Sequence, residues 1–475
     1  MEWRGAFVGG EEIAQPPNAE VVEVQSPWDP KWIGRSFLAG RELVEDAVES
    51  SLRAFEVWRR SSPEERSSLL TRIADEIAHR KERLAELLVF EIGKPIVWAE
   101  GEVARLEITF RLAAQLASIE RPKTLDLSYD PRGKDFAGSV QREPRGPVLA
   151  FVPYNWPYNL AAHKLAPALA TGNTVLLKPS PLAPISSLEL VRLIHDVGCP
   201  AGVVNAMNLS NDDAQWLAQH DGVKLLSFTG SPRVGWFLKS LVPRKPVVLE
   251  LGGDASVIVW EDADLEWATQ RIVASAYGYA GQVCISAQHV VASAGVLDQL
   301  RVRLTEATLS CKIGSPLDRD TVCGPMISES EAARVEAWIE EARKGGANLL
   351  AGGVRNGTWY PPTLVENAPP ESKLGCEEVF GPVLTLVGVD SLDEALARVN
   401  SSKYGIHASL FTQSEEVVRA CHDNLEVAGL IVNDAPTIRF DGMPYGGIKD
   451  SGFGREGVAH AMEAMTEPKV LLQRS

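Results

Sequence analysis

Residues 146–180 read GPVLAFVPYNWPYNLAAHKLAPALATGNTVLLKPS, and this stretch decides the fold. An apolar run, Val148–Val152, leads through a Pro-flanked turn into a helical stretch near 160–170 and then a second apolar run, Thr174–Leu177. Strand, helix and strand at this spacing make a βαβ unit, because parallel strands need a crossover long enough to hold a helix. The pattern continues through apolar runs at Val203–Met207, Lys224–Phe228 and Val247–Leu251, separated by helical stretches near 184–197, 211–220 and 232–242. Five such runs predict a parallel sheet with helices on both faces.

Outward from this block the chain changes character three times. Beyond Gly252-Gly253 a second alternation sets in, with strands expected at Val257–Val259, Val283–Val291, Val383–Val389, Ser409–Thr412 and Leu430–Val432 and helices near 264–281, 328–344, 391–400 and 414–425. Before it, residues 40–120 carry apolar side chains at three- and four-residue spacing (Leu69, Leu70, Ile73, Ile77, Leu84, Leu87, Leu88), the mark of helices. Ser62-Pro63-Glu64-Glu65 is a helix start, with a capping hydroxyl, proline in the first turn and acids beside it. Residues 121–145 are polar and rich in turn formers, a linker or an excursion that pairs elsewhere. The expected fold is α/β: a Rossmann-like parallel-sheet domain, a second α/β domain and a small β arm.

Composition removes whole classes of function. The 475 residues are 45% hydrophobic and 23% charged, enough for two or three packed domains. A net charge of −16 repels nucleic-acid phosphates and anionic lipid heads, and no apolar run approaches the ~18 residues of a membrane span. Nucleic-acid and membrane partners are therefore not expected. The start lacks the basic and apolar regions of a secretory leader, so the protein reads as cytoplasmic, with reduced thiols. Its six cysteines, Cys199, Cys284, Cys311, Cys323, Cys376 and Cys421, form no CxxC pair or Cys/His cluster, and no metal site is expected.

Open α/β sheets bind ligands beyond the carboxyl ends of their strands. Those ends carry Pro153-Tyr154-Asn155-Trp156-Pro157, Lys178-Pro179-Ser180, Thr229-Gly230-Ser231 and Glu250-Leu251-Gly252-Gly253. Cys284, after the glycine-containing segment Gly278–Val283, is a candidate nucleophile toward a carbonyl carbon. Attack creates an oxyanion, for which the Asn155 amide and the Cys284 N–H are candidate donors. Releasing a thioester with water needs a base, and Glu250 at a strand end is the candidate. Each residue has a plain alternative: core filler for Cys284, an ion pair for Glu250, a turn anchor for Asn155, a solvated strand end for Lys178. One site explains them together. Gly452–Gly457 fits GxGxxG but follows no apolar strand, whereas Gly230–Gly235 follows a strand and opens a helix whose amides can face a pyrophosphate.

These residues resemble the aldehyde dehydrogenase superfamily over nearly the whole chain. The resemblance is carried by PYNWP (153–157), GNTVLLKPS (172–180), FTGSPRVG (228–235), LELGG (249–253), GQVC (281–284), EEVFGP (377–382) and PYGGIKDSG (444–452), all in order. It implies a hydrolytic, NAD- or NADP-dependent oxidation of an aldehyde to an acid. In that reading Cys284 is the nucleophile, Asn155 the oxyanion donor, Glu250 the base for the deacylating water and Glu456 a second carboxylate in proton relay. It places the cofactor on Pro153, Tyr154, Lys178, Ser180, Gly230, Ser231, Leu251, Gly252, Glu378 and Phe380. Trp156, Asn159, His163, Val283, Ile285 and Tyr445 would line or border the substrate pocket.

The resemblance also implies domains: 1–121 with 145–251 for the cofactor, 252–450 for catalysis, and 122–144 with 466–475 as an arm that pairs with another subunit, giving a homodimer or homotetramer. Three positions depart from the family pattern. Pro181 stands where NAD-preferring members carry a glutamate against a 2′-phosphate, so NADP is admissible and the choice stays open. Asp254 replaces the commoner lysine or asparagine. His289 departs from the CISxQR of the lactaldehyde- and glyceraldehyde-type branch, whose substrates are small oxygenated aldehydes. Val283, where some relatives use arginine, argues against a strongly anionic substrate. Two other readings, acyl transfer to coenzyme A and a silent binding protein, predict loss of Glu250 or of the Cys284–Glu250 pair, and both residues are present.

Overall fold

The computed structural model describes residues 2–119 and 121–474. Its first sheet has eight strands in the order Gly452–Phe453, Val247–Glu250, Leu225–Thr229, Val148–Phe151, Val175–Lys178, Val204–Ala206, Ala6–Val8 and Glu11–Ile13. The five central strands are the five expected ones, and all their pairings are parallel. Three antiparallel strands extend the two edges. All four residues of Val148–Phe151 are buried, as a strand covered on both faces must be. The chain order reverses between Val148–Phe151 and Leu225–Thr229, which opens a crevice beyond their carboxyl ends. Residues 152–157 and 229–231 lie at that crevice.

The second sheet runs Asn348–Ala351, Thr363–Glu366, Val383–Val389, His289–Ser293, Ser256–Val259, His407–Phe411 and Gly429–Val432, parallel except at its first strand. Residues 251–255 carry the chain from one sheet to the other. The expected helices of the amino-terminal region are Arg41–Trp58, Pro63–His79, Lys81–Ile92 and Ile96–Ile119. Ser62 and Glu65 close a reciprocal capping box at the second.

Two expectations are corrected around Cys284. The run Val283–Val291 is a strand only within His289–Ser293. Residues 283–288 instead spend their hydrogen bonds locally, with Ser286 N–H on the Val283 carbonyl and Ser286 Oγ on the Ser275 carbonyl. The helix near 264–281 ends at Tyr277, followed by a tight turn over Gly278–Gly281. Tyr279, Ala280 and Gly281 there have φ of 52°, 53° and 67°, a left-handed run that costs roughly 1–2 kcal/mol per non-glycine residue and recurs at functional sites. A Cβ on Gly281 would stand 2.2 Å from the Gly381 carbonyl oxygen, so only glycine fits. The helix Ala294–Ser310, the strands Asn348–Ala351 and Thr363–Glu366 and the amino-terminal strands were not expected from the sequence.

Residues 121–145 do pair elsewhere. Thr466–Arg474 runs antiparallel to Phe136–Pro144 along its whole length, with Lys123–Thr124 on the other side. This three-stranded sheet is separate from the two large sheets, and Val470, Leu471 and Leu472 on it are 56%, 64% and 53% exposed.

Candidate active site

The left-handed turn delivers Cys284 to a partly exposed position, packed against the buried apolar cluster that includes Val148, Tyr279 and Tyr445. Its sulfur lies 3.1 Å from the Tyr445 hydroxyl. Burial pushes the Cys284 thiol up to about 11, and the hydrogen bond from Tyr445 pulls the other way. Gly253 packs directly on this loop: a Cβ there would meet the Cys284 carbonyl oxygen at 2.6 Å.

Asn155 sits on the loop after Val148–Phe151 and donates one amide N–H to the Gln282 carbonyl at 3.0 Å, two residues before the sulfur. An asparagine amide carries a second N–H, which remains for an oxyanion. The helix that follows, Pro157–Ala170, is pinned at its start by Glu102, whose Oε1 accepts the Tyr158 and Asn159 N–H groups at 2.9 and 3.1 Å. Glu102 is itself ion-paired with Lys94, and both are fully buried. Lys94 Nζ lies 3.9 Å from the centre of the Trp156 ring, so one buried network fixes the whole 155–159 corner.

Glu250 ends its strand with both carboxylate oxygens buried and without a hydrogen-bond partner. Burial, then the neighbouring Glu456 charge, raise its pKa well above the usual carboxylate range. An unpaired buried carboxylate is costly to keep ionised, so this environment favours the protonated form of Glu250. It lies against Tyr445-Gly446: a Cβ on Gly446 would stand 2.8 Å from Glu250 Oε1. Burial works on Glu456 as well, but Lys164 Nζ at 3.0 Å and Arg439 Nη2 at 3.2 Å outweigh it, and its pKa falls to about 2. Two neighbouring carboxyl groups are thus driven apart, one neutral and one ionised, the arrangement that separates acid and base roles.

The strand ends of the first sheet and the loop at 378–380 carry groups suited to a dinucleotide. Lys178 closes its strand nearly buried, with no ion pair among the described residues, and burial lowers its pKa to about 8. It lines a cavity of about 440 Å³ with Phe151, Phe228, Arg233, Val234 and Phe237. Ser231 precedes the helix Pro232–Leu241 without capping it; Pro232 has no N–H and the Val234 N–H is spent on the Ser231 carbonyl, which leaves the Ser231 hydroxyl and the Arg233 N–H at the helix start. Glu378 accepts the Gly253 N–H at 3.1 Å, and burial raises its pKa to about 8. A Cβ on Gly252 would fall 2.3 Å from Glu378 Oε2, so a larger residue there would displace the Glu378 carboxyl. Phe380 is held at φ 47° and sets its ring edge-on to Tyr154 at 6.1 Å. The buried Thr229 hydroxyl has no partner, and together with the lone Lys178 ammonium it fits a ligand rich in acceptor oxygens. Pro153, Ser180, Gly230 and Leu251 lie on the same strand-end loops.

Of the expected substrate residues, Trp156 is partly exposed, Val283, Ile285 and Tyr445 form a buried apolar wall, and Asn159 and His163 sit behind it fully buried. His163 Nε2 lies 2.9 Å from Asp441, and burial keeps its pKa near 4. The sequence reading missed Lys164, Gln282, Arg439, Asp441 and Arg105. Lys164 had a signal, a lone charge in the otherwise apolar helix LAAHKLAPALA.

With this geometry in place, the comparisons are unambiguous. Residues 14–471 match the family described as the aldehyde dehydrogenase family. The chain belongs to that family. Among its relatives, the 3-sulfolactaldehyde dehydrogenase of Priestia megaterium is 38% identical over 471 residues, 98% of this chain and 97% of that one. The crystal structure of aldehyde dehydrogenase 21 from Physcomitrella patens, in complex with the reaction product succinate, superposes with a TM-score of 0.96 at 35% identity, covering 100% of this chain and 98% of that one. The NADP-dependent glyceraldehyde-3-phosphate dehydrogenase of Bacillus halodurans, complexed with NADP, gives 0.96 at 33% identity, with both chains covered in full. An aldehyde dehydrogenase needs a nucleophile, an oxyanion donor, a base and a dinucleotide cradle, and each has a candidate above.

Proposed function

We propose that this aldehyde dehydrogenase oxidises a short oxygenated aldehyde to its carboxylic acid with NAD+ or NADP+. One observation carries the reading: Cys284 and the unpartnered Glu250 flank the same Tyr445-Gly446 segment. The Cys284 thiolate adds to the carbonyl carbon, and the Asn155 amide holds the oxyanion. Bound NAD(P)+ supplies the hydride acceptor, and the groups that would hold it are Lys178 and Glu378 at ribose hydroxyls and the Ser231 helix start at the pyrophosphate. Once Cys284 carries the acyl group as a thioester, Glu250 in its ionised form takes a proton from water, which attacks the acyl carbon and releases the acid and the Cys284 thiolate. Glu456, ionised between Lys164 and Arg439, favours the proton on Glu250 between turnovers by its charge.

The reading assigns residues 1–121 with 145–251 to the cofactor, 252–450 to catalysis, and 122–144 with 466–475 to pairing between subunits of a homodimer or homotetramer; residues 1, 120 and 475 lie outside the described residues. Pro181 leaves no carboxylate three residues past Lys178 to repel a 2′-phosphate, which supports NADP+ use. No helix among the described residues is long and apolar enough to cross a membrane, and six free thiols suit a reducing cytoplasm. The test is a panel of hydroxyaldehydes, aliphatic aldehydes and semialdehydes run with NAD+ and NADP+ in parallel, read by absorbance of the reduced nicotinamide. Turnover that vanishes in Cys284→Ala supports the reading. Cofactor binding without turnover across the panel overturns it.

A further inference from the structure

Two positions that depart from the family pattern, Asp254 and His289, take no part in the proposed reaction, and the structure brings them together. Ser256 and His289 open neighbouring strands of the second sheet, paired side by side, and with Asp254 they form one wall of a cavity of about 250 Å³. Arg398, near the end of the helix Leu392–Asn400, and residues 401–403 form a second wall, with Gly375-Cys376 opposite. Histidine is shorter than the arginine of the pattern, which leaves the hollow open on the His289 side. None of the residues that line it belongs to the substrate or cofactor candidates.

The charges in this cavity do not cancel by contact. Lys403 is spent on Glu377 at 2.6 Å, and Lys449, which also acts on Asp254, is spent on Glu426 at 2.8 Å. His289 meets Thr385 Oγ1 at 2.7 Å and Gln288 Nε2 at 3.1 Å, and burial lowers its pKa to about 4, so it is neutral. Asp254 remains, 7% exposed, with Ser402 Oγ donating to its Oδ2 at 2.7 Å. The basic group within 4 Å of it is that neutral His289, at 3.9 Å. Burial raises Asp254 to about 6, which leaves it ionised above neutral pH. Arg398 remains as well, half-buried, with no hydrogen bond or ion pair among the described residues. A carboxylate and a guanidinium therefore line one cavity without pairing. Partly buried charges are costly unless something compensates them, and the molecule that compensates both carries an anion and a cation of its own.

We propose that this cavity is a binding site for a small α-amino acid, whose carboxylate takes the guanidinium fork of Arg398 and whose ammonium takes Asp254. The hydroxyls of Ser256 and Ser401 on the walls suit a short polar side chain. The volume is several times the roughly 30 Å³ share of one water, room for a molecule of serine's size. Asp254 follows Gly253, which packs on the Cys284 carbonyl and gives its N–H to Glu378, so the site adjoins the catalytic loop from outside the substrate pocket. Its test does not depend on the dehydrogenase reading.

L-Serine is titrated by calorimetry into the wild-type, Arg398→Gln and Asp254→Asn enzymes. The site predicts saturable binding, weakened about tenfold or more in each variant by loss of a charge-assisted contact. Cys376, an exposed thiol on the cavity wall, gives a readout that localises the ligand. Its alkylation by iodoacetamide, followed by peptide mass spectrometry, should slow at saturating L-serine in wild type and not in Arg398→Gln. L-Lactate, which lacks the ammonium, and ethanolamine, which lacks the carboxylate, should not protect it. No binding of L-serine up to about 10 mM overturns the proposal, as does an affinity unchanged in either variant or a Cys376 left unprotected. Protection by L-lactate or ethanolamine equal to that by L-serine overturns the pairing of two opposite charges. Where Asp254→Asn does not fold, Arg398→Gln and the protection of Cys376 decide.

Discussion

Replacing Tyr445 with phenylalanine removes one atom, the hydroxyl 3.1 Å from the Cys284 sulfur. The ring stays, and with it the contacts to Arg439 at 3.6 Å and His407 at 5.4 Å. Burial has already pushed the thiol to about 11, so the reactive thiolate is a small fraction at neutral pH, and Tyr445 provides the hydrogen bond that favours it. A hydrogen bond to a charged acceptor contributes about 1.5–3 kcal/mol, which at 1.4 kcal/mol per tenfold is about 10- to 100-fold in thiolate population. The sign is fixed: losing a donor to the thiolate raises the pKa further and slows every reaction of the sulfur below it. The assay is inactivation by iodoacetamide between pH 7 and 10, where the rate follows the thiolate fraction. Tyr445→Phe should be alkylated about 10- to 100-fold more slowly at pH 7, with its rate still rising at pH 10. Equal or faster alkylation would refute the role given to the hydroxyl.

Other perturbations follow from the same contacts. Because Glu250 is held above the ordinary carboxylate range by burial and by Glu456, and acts as a base only when ionised, the deacylation rate should rise with pH along a limb displaced to the alkaline side of 4.5; Glu456→Gln should shift that limb in the kcat profile toward acid. Glu102→Ala strands the buried Lys94 charge and two helix N–H groups, and should cost about 3–5 kcal/mol in urea unfolding, most of it recovered when Lys94→Met is added. If the arm pairs subunits through its exposed apolar strand, Leu471→Lys with Leu472→Lys should lower the mass measured by light scattering to that of a smaller assembly, with unchanged far-ultraviolet circular dichroism.

The sheets were legible in the sequence where burial on both faces writes a continuous apolar run, as in Val148–Phe151 and Val247–Glu250. The capping box at Ser62 was equally plain, since its residues act on near neighbours. The turn before Cys284 was not legible. Tyr279 and Ala280 have no propensity for the left-handed region; tertiary contacts hold them there, with Gly281 packed on Gly381, Trp98 on Gly278 and the Tyr279 N–H on the Val322 carbonyl. The strands Asn348–Ala351 and Thr363–Glu366 are short and sit among prolines and glycines, so their pairing is decided by the sheet rather than by local pattern. At the site, residues on strand ends announced themselves by position. Asp441 did not, because its meaning lies in its partners Arg105 and His163, hundreds of residues away in the chain.

Single-turnover kinetics of Glu250→Gln with NAD+ or NADP+ and a short aldehyde test the central claim most directly. A base that serves only the hydrolytic half should leave a burst of reduced nicotinamide close to one equivalent per active site, followed by a stall, with the acyl group found on Cys284 by intact-protein mass spectrometry. Steady turnover without a stall, or loss of the burst along with turnover, would contradict the division of labour between Cys284 and Glu250.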